Sequence, residues 1–175
     1  MNRWAMDKLK NKRLLILLAL AALLALLFAQ AVSREQPAPQ VTFTSLQGEN
    51  ITMESLRGRV VLVNFWATSC IGCIREMPQM IDTYHKYNAQ GLETIAVAMS
   101  YDPPNYVVNY TEKNALPFKV ALDVQGNIAR AFGDVQFTPA TFIIDKRGNI
   151  IKRILGEPDF AQLRTLLEKE LQAAA

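Results

Sequence analysis

The strongest structural signal in the chain is VVLVNFWATSCIGCIREMP, residues 60–78. Its first seven residues are rich in β-branched and aromatic side chains, which is typical of a central strand buried on both faces. Apolar residues then recur at helical spacing, as Ile74 and Met77 do, and they indicate an amphipathic helix. Cys70 and Cys73 therefore lie where a strand ends and a helix begins.

The sequence on either side predicts an α/β fold with a mixed central sheet. Alternation in residues 41–46 and 51–53, around a Gly-Glu-Asn turn, predicts an N-terminal β-hairpin. Further strands are expected at residues 92–99, 118–122, 140–145 and 150–155, and helices at 105–114, 127–132 and 159–172. Strand–helix alternation followed by a hairpin and a helix is typical of helices layered on a sheet.

The two cysteines have the spacing of a redox pair. A cysteine at the start of a helix lies among unpaired backbone N–H groups at the positive end of the helix dipole, which favours its thiolate. A second cysteine three residues later lies on the same face, one turn deeper, from where it can attack a mixed disulfide. We therefore predict Cys70 as the nucleophile and Cys73 as the resolving thiol.

Other interpretations of Cys70 and Cys73 remain open from the residues alone. As a purely structural disulfide, the pair would close a very short loop and stabilise the fold by ~2 kcal/mol, against ~3 kcal/mol for a disulfide that closes a 15-residue loop. As a metal site, it supplies two ligands where structural zinc takes four, and His85 would lie ~18 Å further along the helix. Two incidental buried thiols are the third alternative.

Charge excludes nucleic-acid binding. The chain of 175 residues has a formal net charge of +3, but residues 1–13 alone carry five basic residues against Asp7. The remainder is close to neutral, so no basic patch is left to bind DNA or RNA.

An apolar run at residues 14–32 follows the basic tail. As a helix it would be ~28 Å long, close to the ~30 Å hydrocarbon thickness of a bilayer, which favours a transmembrane signal anchor. The basic flank predicts a cytoplasmic tail at residues 1–13 and a domain across the membrane. A cleaved signal peptide is the alternative, because Ala29-Gln30-Ala31 matches the cleavage pattern. Residues 33–40, with two prolines, are expected to form a linker.

The quoted stretch, together with FTPATFIID at residues 137–145 and the apolar N-terminal run, resembles a known family. This is the TlpA/ResA-like group of bacterial membrane-anchored, thioredoxin-like thiol-disulfide oxidoreductases. The resemblance extends from about Val41 to Leu171 and implies a thioredoxin-like fold for residues 41–175. The chain departs from the family pattern at Ser69, usually tryptophan, and at Gly72, usually proline, and both positions bear on the reduction potential.

The resemblance also implies roles for residues around the cysteines. Glu76 matches an acidic residue that would relay a proton to the resolving thiol. Pro139 matches a cis-proline facing the pair, and an extended client segment would pair beside Thr138 and Pro139. Trp66 is expected to be a partly buried aromatic beside the pair that contributes to substrate binding.

The implied function is reduction of disulfides in client proteins on the extracytoplasmic side of the bacterial cytoplasmic membrane. The resemblance suggests apocytochrome c or a copper-site protein as client and a membrane thiol carrier as the source of electrons, with no organic or metal cofactor. A peroxiredoxin-like peroxidase is an alternative, although it expects threonine where this chain has Ala67. A membrane-tethered copper chaperone is another, although such proteins use wider cysteine spacing and a distant histidine.

Overall fold

The computed structural model describes residues 36–174, together with Ile16 and Leu20. The predicted basic tail and the rest of the predicted anchor at residues 14–32 lie outside the described residues. Among the described residues, no helix is long and apolar enough to cross a membrane.

Residues 36–174 form eight strands and four α-helices. The strands are β1 (Gln36–Pro37), β2 (Thr42–Thr44), β3 (Asn50–Thr52), β4 (Val60–Trp66), β5 (Leu92–Ala98), β6 (Lys119–Leu122), β7 (Ala140–Ile144) and β8 (Asn149–Leu155). The helices are α1 (Ile71–Tyr87), α2 (Pro104–Lys113), α3 (Asn127–Ala131) and α4 (Phe160–Gln172), with single 3-10 turns at Glu54–Leu56 and Asn88–Gln90.

The central sheet is mixed, as the sequence predicts. Its six strands lie in the order β1-β8-β7-β4-β5-β6. Strands β4, β5 and β6 are parallel, whereas β7 runs antiparallel to β4, and β8 runs antiparallel to β7. The predicted N-terminal hairpin is the separate antiparallel pair β2–β3, and it joins the sheet edge where Leu46 N–H donates to Val120 O at 2.9 Å.

The end of the expected linker belongs to the sheet. Gln36 pairs with Ile150 and Pro37 with Asn149, both antiparallel, and Ala38 is buried. The prolines of residues 33–40 favour a linker, but β1 is an edge strand, and an edge strand can contain a proline because one of its sides needs no N–H donor. Within the described residues, Gln36 and Pro37 therefore already belong to the sheet, ahead of the domain start expected near Val41.

Strand β4 separates two hydrophobic cores. Phe65 and its same-face neighbours pack into the first core, with the aromatic rings of Phe132 and Phe142. Leu62 and Trp66 point to the opposite face, into the core that α1 and α4 cover. Successive side chains of a strand point to opposite faces, so a strand that is apolar at nearly every position becomes central.

The register of β4 and β7 positions the two predicted site segments. Phe65, near the end of β4, pairs with Ala140, the first residue of β7. Because the strands are antiparallel, the segment that follows β4 and the segment that precedes β7 lie at the same edge of the sheet. Cys70 and Pro139 belong to these two segments.

We predict that Phe132→Ala lowers the free energy of unfolding by about 3–5 kcal/mol. Phe132 is buried and its ring contacts those of Phe43, Phe65 and Phe142, so the substitution leaves a cavity in the first core. Phe137→Ala is the matched control, since Phe137 is 75% exposed and its loss is expected to change stability by under about 0.5 kcal/mol. Urea denaturation of both variants measures the difference, and equal losses would contradict the assignment of the core.

Candidate active site

Cys70 and Cys73 lie at the start of α1 and form a disulfide, with Sγ atoms 2.25 Å apart and Cα atoms 5.2 Å apart. Cys70 is the N-cap residue of the helix, and its sulfur accepts a hydrogen bond from Cys73 N–H at 3.2 Å. Cys70 is partly exposed, whereas Cys73 has no exposed surface. This is the asymmetry that the sequence predicts, with an outer sulfur at the helix tip and an inner one a turn below.

The loop before Cys70 is held by a buried carboxylate. Asp102 accepts hydrogen bonds from Thr68 N–H and from Thr68 Oγ1–H, both at 2.6 Å. Cys70 N–H donates to Ala67 O at 3.1 Å. These bonds fix the backbone between β4 and α1 and thus the position of the first cysteine.

Glu76 lies on the buried face of α1 and is only 2% exposed. Its Oε1 accepts a hydrogen bond from Asn64 Nδ2 at 2.9 Å, and the same amide nitrogen donates to Thr141 Oγ1 at 3.0 Å. Burial raises the pKa of Glu76 to about 7, the Asn64 hydrogen bond opposes this, and the charge of Glu157 adds to it. Glu76 is therefore able to give or take a proton near neutral pH.

Pro139 lies opposite the cysteines, and the Thr138–Pro139 bond is cis, as the resemblance implied. Its Cδ lies 3.3 Å from the point that a Cβ on Gly72 would occupy. Tyr101 Oη and Thr138 Oγ1 are 3.2 Å apart and form a hydrogen bond on the exposed side. The structure thus brings the cis-proline loop against the residues between the cysteines.

Trp66 does not occupy the place expected for a substrate contact. The expectation was a partly buried ring beside the pair, but its exposure is 0%, and its ring packs on Tyr110 at 5.3 Å between centroids. Residue 66 is the last of β4 and points into the core under α1, so its ring has no surface to offer a client.

Each of the two segments that form the site exposes one large apolar side chain. Ile71, next to Cys70, is 80% exposed, and Phe137, next to Thr138, is 75% exposed. The described residues contain no group of three or more His, Cys, Asp or Glu that could hold a metal ion.

Sequence reasoning missed three polar residues near the pair: Asn64, Thr141 and Glu157. Asn64 gave a local signal, because an amide in a strand buried on both faces needs a buried partner. Glu157 gave none, since it lies in an ordinary polar turn between β8 and α4.

A thioredoxin-like sheet with a cysteine pair at the tip of its first long helix and a cis-proline opposite defines the class: thiol-disulfide oxidoreductases. A solved structure of similar fold is a thiol:disulfide interchange protein, a thioredoxin family protein from Chlorobium tepidum TLS. It is 26% identical, with a TM-score of 0.73, and the match covers 79% of this chain and 98% of that one.

The chain belongs to the redoxin family, whose model matches residues 33–167. Among its relatives is the thiol-disulfide oxidoreductase ResA of Bacillus thuringiensis subsp. konkukian, 38% identical over 133 residues, which cover 75% of each chain. ResA of Geobacillus thermodenitrificans is 34% identical over 168 residues, covering 93% of this chain and 95% of that one. The protein is a thiol-disulfide oxidoreductase, and the resemblance to the TlpA/ResA-like group is confirmed.

We predict that burial of Glu76 makes stability fall as pH rises. Below pH 4.5, its ordinary pKa, the residue is protonated in both the folded and the unfolded states. Between pH 4.5 and about 7 the unfolded chain loses this proton and the folded chain keeps it, so the folded state is progressively destabilised. The side chain of the Glu76→Gln variant cannot ionise. Its free energy of unfolding should therefore rise, relative to that of the wild type, by about 3 kcal/mol between pH 4 and pH 8.

Urea denaturation of the oxidised wild type and of Glu76→Gln at pH 4, 6 and 8 measures this gain. The comparison between the two proteins removes the contributions of all other titrating groups. A stability difference that stays constant across the three pH values would contradict the raised pKa.

Proposed function

We propose that this protein reduces disulfides in extracytoplasmic client proteins, with oxidised apocytochrome c as the client class to test first. The observation that carries the proposal is the asymmetry of the pair: Cys70 is partly exposed at the helix tip, and Cys73 is wholly buried. The ResA relatives, which are thiol-disulfide oxidoreductases, support a disulfide-containing client, and the resemblance in the sequence suggests apocytochrome c.

The reaction starts from the reduced pair. The Cys70 thiolate attacks one sulfur of the client disulfide, a bond forms between these two sulfurs, and the other client sulfur leaves as a thiolate that takes a proton from water. Cys73 then loses its proton and attacks Cys70 Sγ, which releases the second client thiolate. Two electrons have passed to the client, and Cys70 and Cys73 are left as the disulfide that the structure contains.

Glu76 is the proposed acid–base partner of Cys73. Cys73 has no exposed surface, so its proton has no direct path to bulk water. With a pKa of about 7, Glu76 is partly ionised at neutral pH and able to accept that proton as Cys73 attacks. Asn64, bonded to Glu76 Oε1, would orient the carboxyl group.

The client is proposed to bind along the cis-proline loop. An extended segment beside Thr138 and Pro139 would place its disulfide over Cys70, and the exposed side chains of Ile71 and Phe137 would contact apolar groups on either side. Backbone pairing and apolar contacts of this kind place few demands on the shape of the client. They therefore suit an unfolded protein segment better than a small-molecule substrate.

The remaining partners and the location are part of the same proposal. Residues 14–32 would anchor the chain in the bacterial cytoplasmic membrane, with residues 1–13 in the cytoplasm and residues 41–175 on the extracytoplasmic side. A membrane thiol carrier would return two electrons to the Cys70–Cys73 disulfide after each turnover.

We expect Cys73→Ala to accumulate covalent adducts with client proteins, because Cys70 attacks and nothing resolves the mixed disulfide. Cys70→Ala should form none, since the remaining sulfur is buried. Non-reducing electrophoresis of each reduced variant after incubation with oxidised apocytochrome c measures the adduct, and insulin reduction by the wild type serves as the activity control. Equal adducts with both variants, or with neither, would contradict the assigned roles.

We expect the mature protein to remain membrane-bound with residues 14–32 intact. Intact-mass measurement of the protein from the membrane fraction should give a chain that contains the apolar run. A mature chain that begins at Val32 would show that the segment is a cleaved signal peptide and would contradict the anchor.

A further inference from the structure

Glu157 lies in the turn between β8 and α4, and this turn is tied to the cis-proline loop. Gly156 N–H, one residue earlier, donates to Pro139 O at 2.8 Å, and Pro158, one residue later, is buried. The turn that carries Glu157 is therefore tied to the active-site edge of the sheet through Gly156.

The carboxylate of Glu157 lies close to Gly72, one of the two residues between the cysteines. Its Oε1 is 3.3 Å from the point that a Cβ on Gly72 would occupy, tighter than most contacts of real Cβ atoms. The same oxygen is 2.6 Å from a guanidinium nitrogen of Arg75, on the second turn of α1. A side chain at residue 72, such as the proline usual in the family that the sequence resembles, would press on this carboxylate and equally on Pro139 Cδ, so that these neighbours would have to shift by a few tenths of an ångström.

The charge of Glu157 acts on the redox site. It contributes to the raised pKa of Glu76, after burial, and so disfavours a second negative charge nearby. Arg75 pairs with this carboxylate, with the two side chains 67% and 38% exposed, so its cation offsets part of the field that Glu157 exerts on the site. Two further carboxylates belong to the same region: Glu76 on α1, and Asp102, which accepts hydrogen bonds from Thr68 N–H and Thr68 Oγ1–H.

We propose that Glu157 lowers the reduction potential of the Cys70–Cys73 pair, because its fixed carboxylate disfavours the Cys70 thiolate of the reduced form. The inference rests on the proposed function, and it implies that the pair passes electrons to client disulfides. Glu157 does not touch the reacting sulfurs and is a positioning residue that acts through Cys70. Stabilising a thiolate makes a pair more oxidising, and destabilising it has the opposite effect.

The test is the equilibrium with glutathione, in which the Cys70–Cys73 disulfide and two glutathione thiols exchange for the dithiol and one glutathione disulfide. Glu157→Gln keeps the shape of the side chain and removes its charge. We expect the equilibrium constant of this variant to shift about 3–10-fold toward the dithiol, because one partly screened negative charge near the thiolate has been removed. The pKa of the Cys70 thiol, from the pH dependence of its alkylation rate, should fall in parallel.

Two further variants make the result specific to charge. Arg75→Gln removes the opposite charge and should move both the equilibrium and the thiol pKa in the opposite direction. Glu168→Gln is the matched control: Glu168 lies on α4, is bonded to Lys86 and Tyr87, and should change neither. Shifts of the same sign in Glu157→Gln and Arg75→Gln would show that loss of the ion pair is responsible and would overturn the proposal.

Failure of this inference is distinguishable from failure of the proposed function. A wild type that forms no reversible disulfide or reduces no insulin would overturn the proposed function. A wild type that is active, with a Glu157→Gln equilibrium equal to its own, would overturn the role of Glu157 alone.

Discussion

The site depends on the pairing of β4 with β7. Phe65 and Ala140 are partners in an antiparallel register, so the end of one strand and the start of the other lie side by side at one edge of the sheet. If β4 shifted by one residue in its pairing with β7, each of its apolar side chains would point to the opposite face of the sheet and into the wrong core. The same packing that stabilises the domain therefore sets the position of Cys70 relative to Pro139.

A cluster of three polar side chains is buried in the second core, and its burial destabilises the fold. Asn64, Glu76 and Thr141 lie among apolar side chains, joined by hydrogen bonds from one amide nitrogen. Within the described residues, Asn64 Oδ1 and Glu76 Oε2 have no hydrogen-bond partner. An incompletely bonded buried acid destabilises a fold, and such groups cluster at functional sites.

The main elements of the fold and both sulfurs could be predicted from the sequence because their signals are local. The apolar run of β4, the helical spacing after Cys70 and the three-residue spacing of the cysteines each report on adjacent residues. The cis bond at Pro139 came from the resemblance, since an isolated proline favours trans. Trp66 was misplaced because alternation along β4 sends its ring inward, and Glu157 was missed because only the pairing of β7 with β8 brings its turn to the site.

Burial of Cys73 would order the two halves of the proposed exchange. Because its sulfur has no exposed surface, a client disulfide meets Cys70 first, and Cys73 gains a disulfide to attack only when Cys70 carries the client sulfur. The same depth separates Cys73 from water, and in the proposed exchange Glu76, a buried acid with a pKa of about 7, would take its proton. The unfavourable burial of Glu76 and the burial of the Cys73 sulfur thus have one cause, because both residues lie on the face of α1 that packs into the fold.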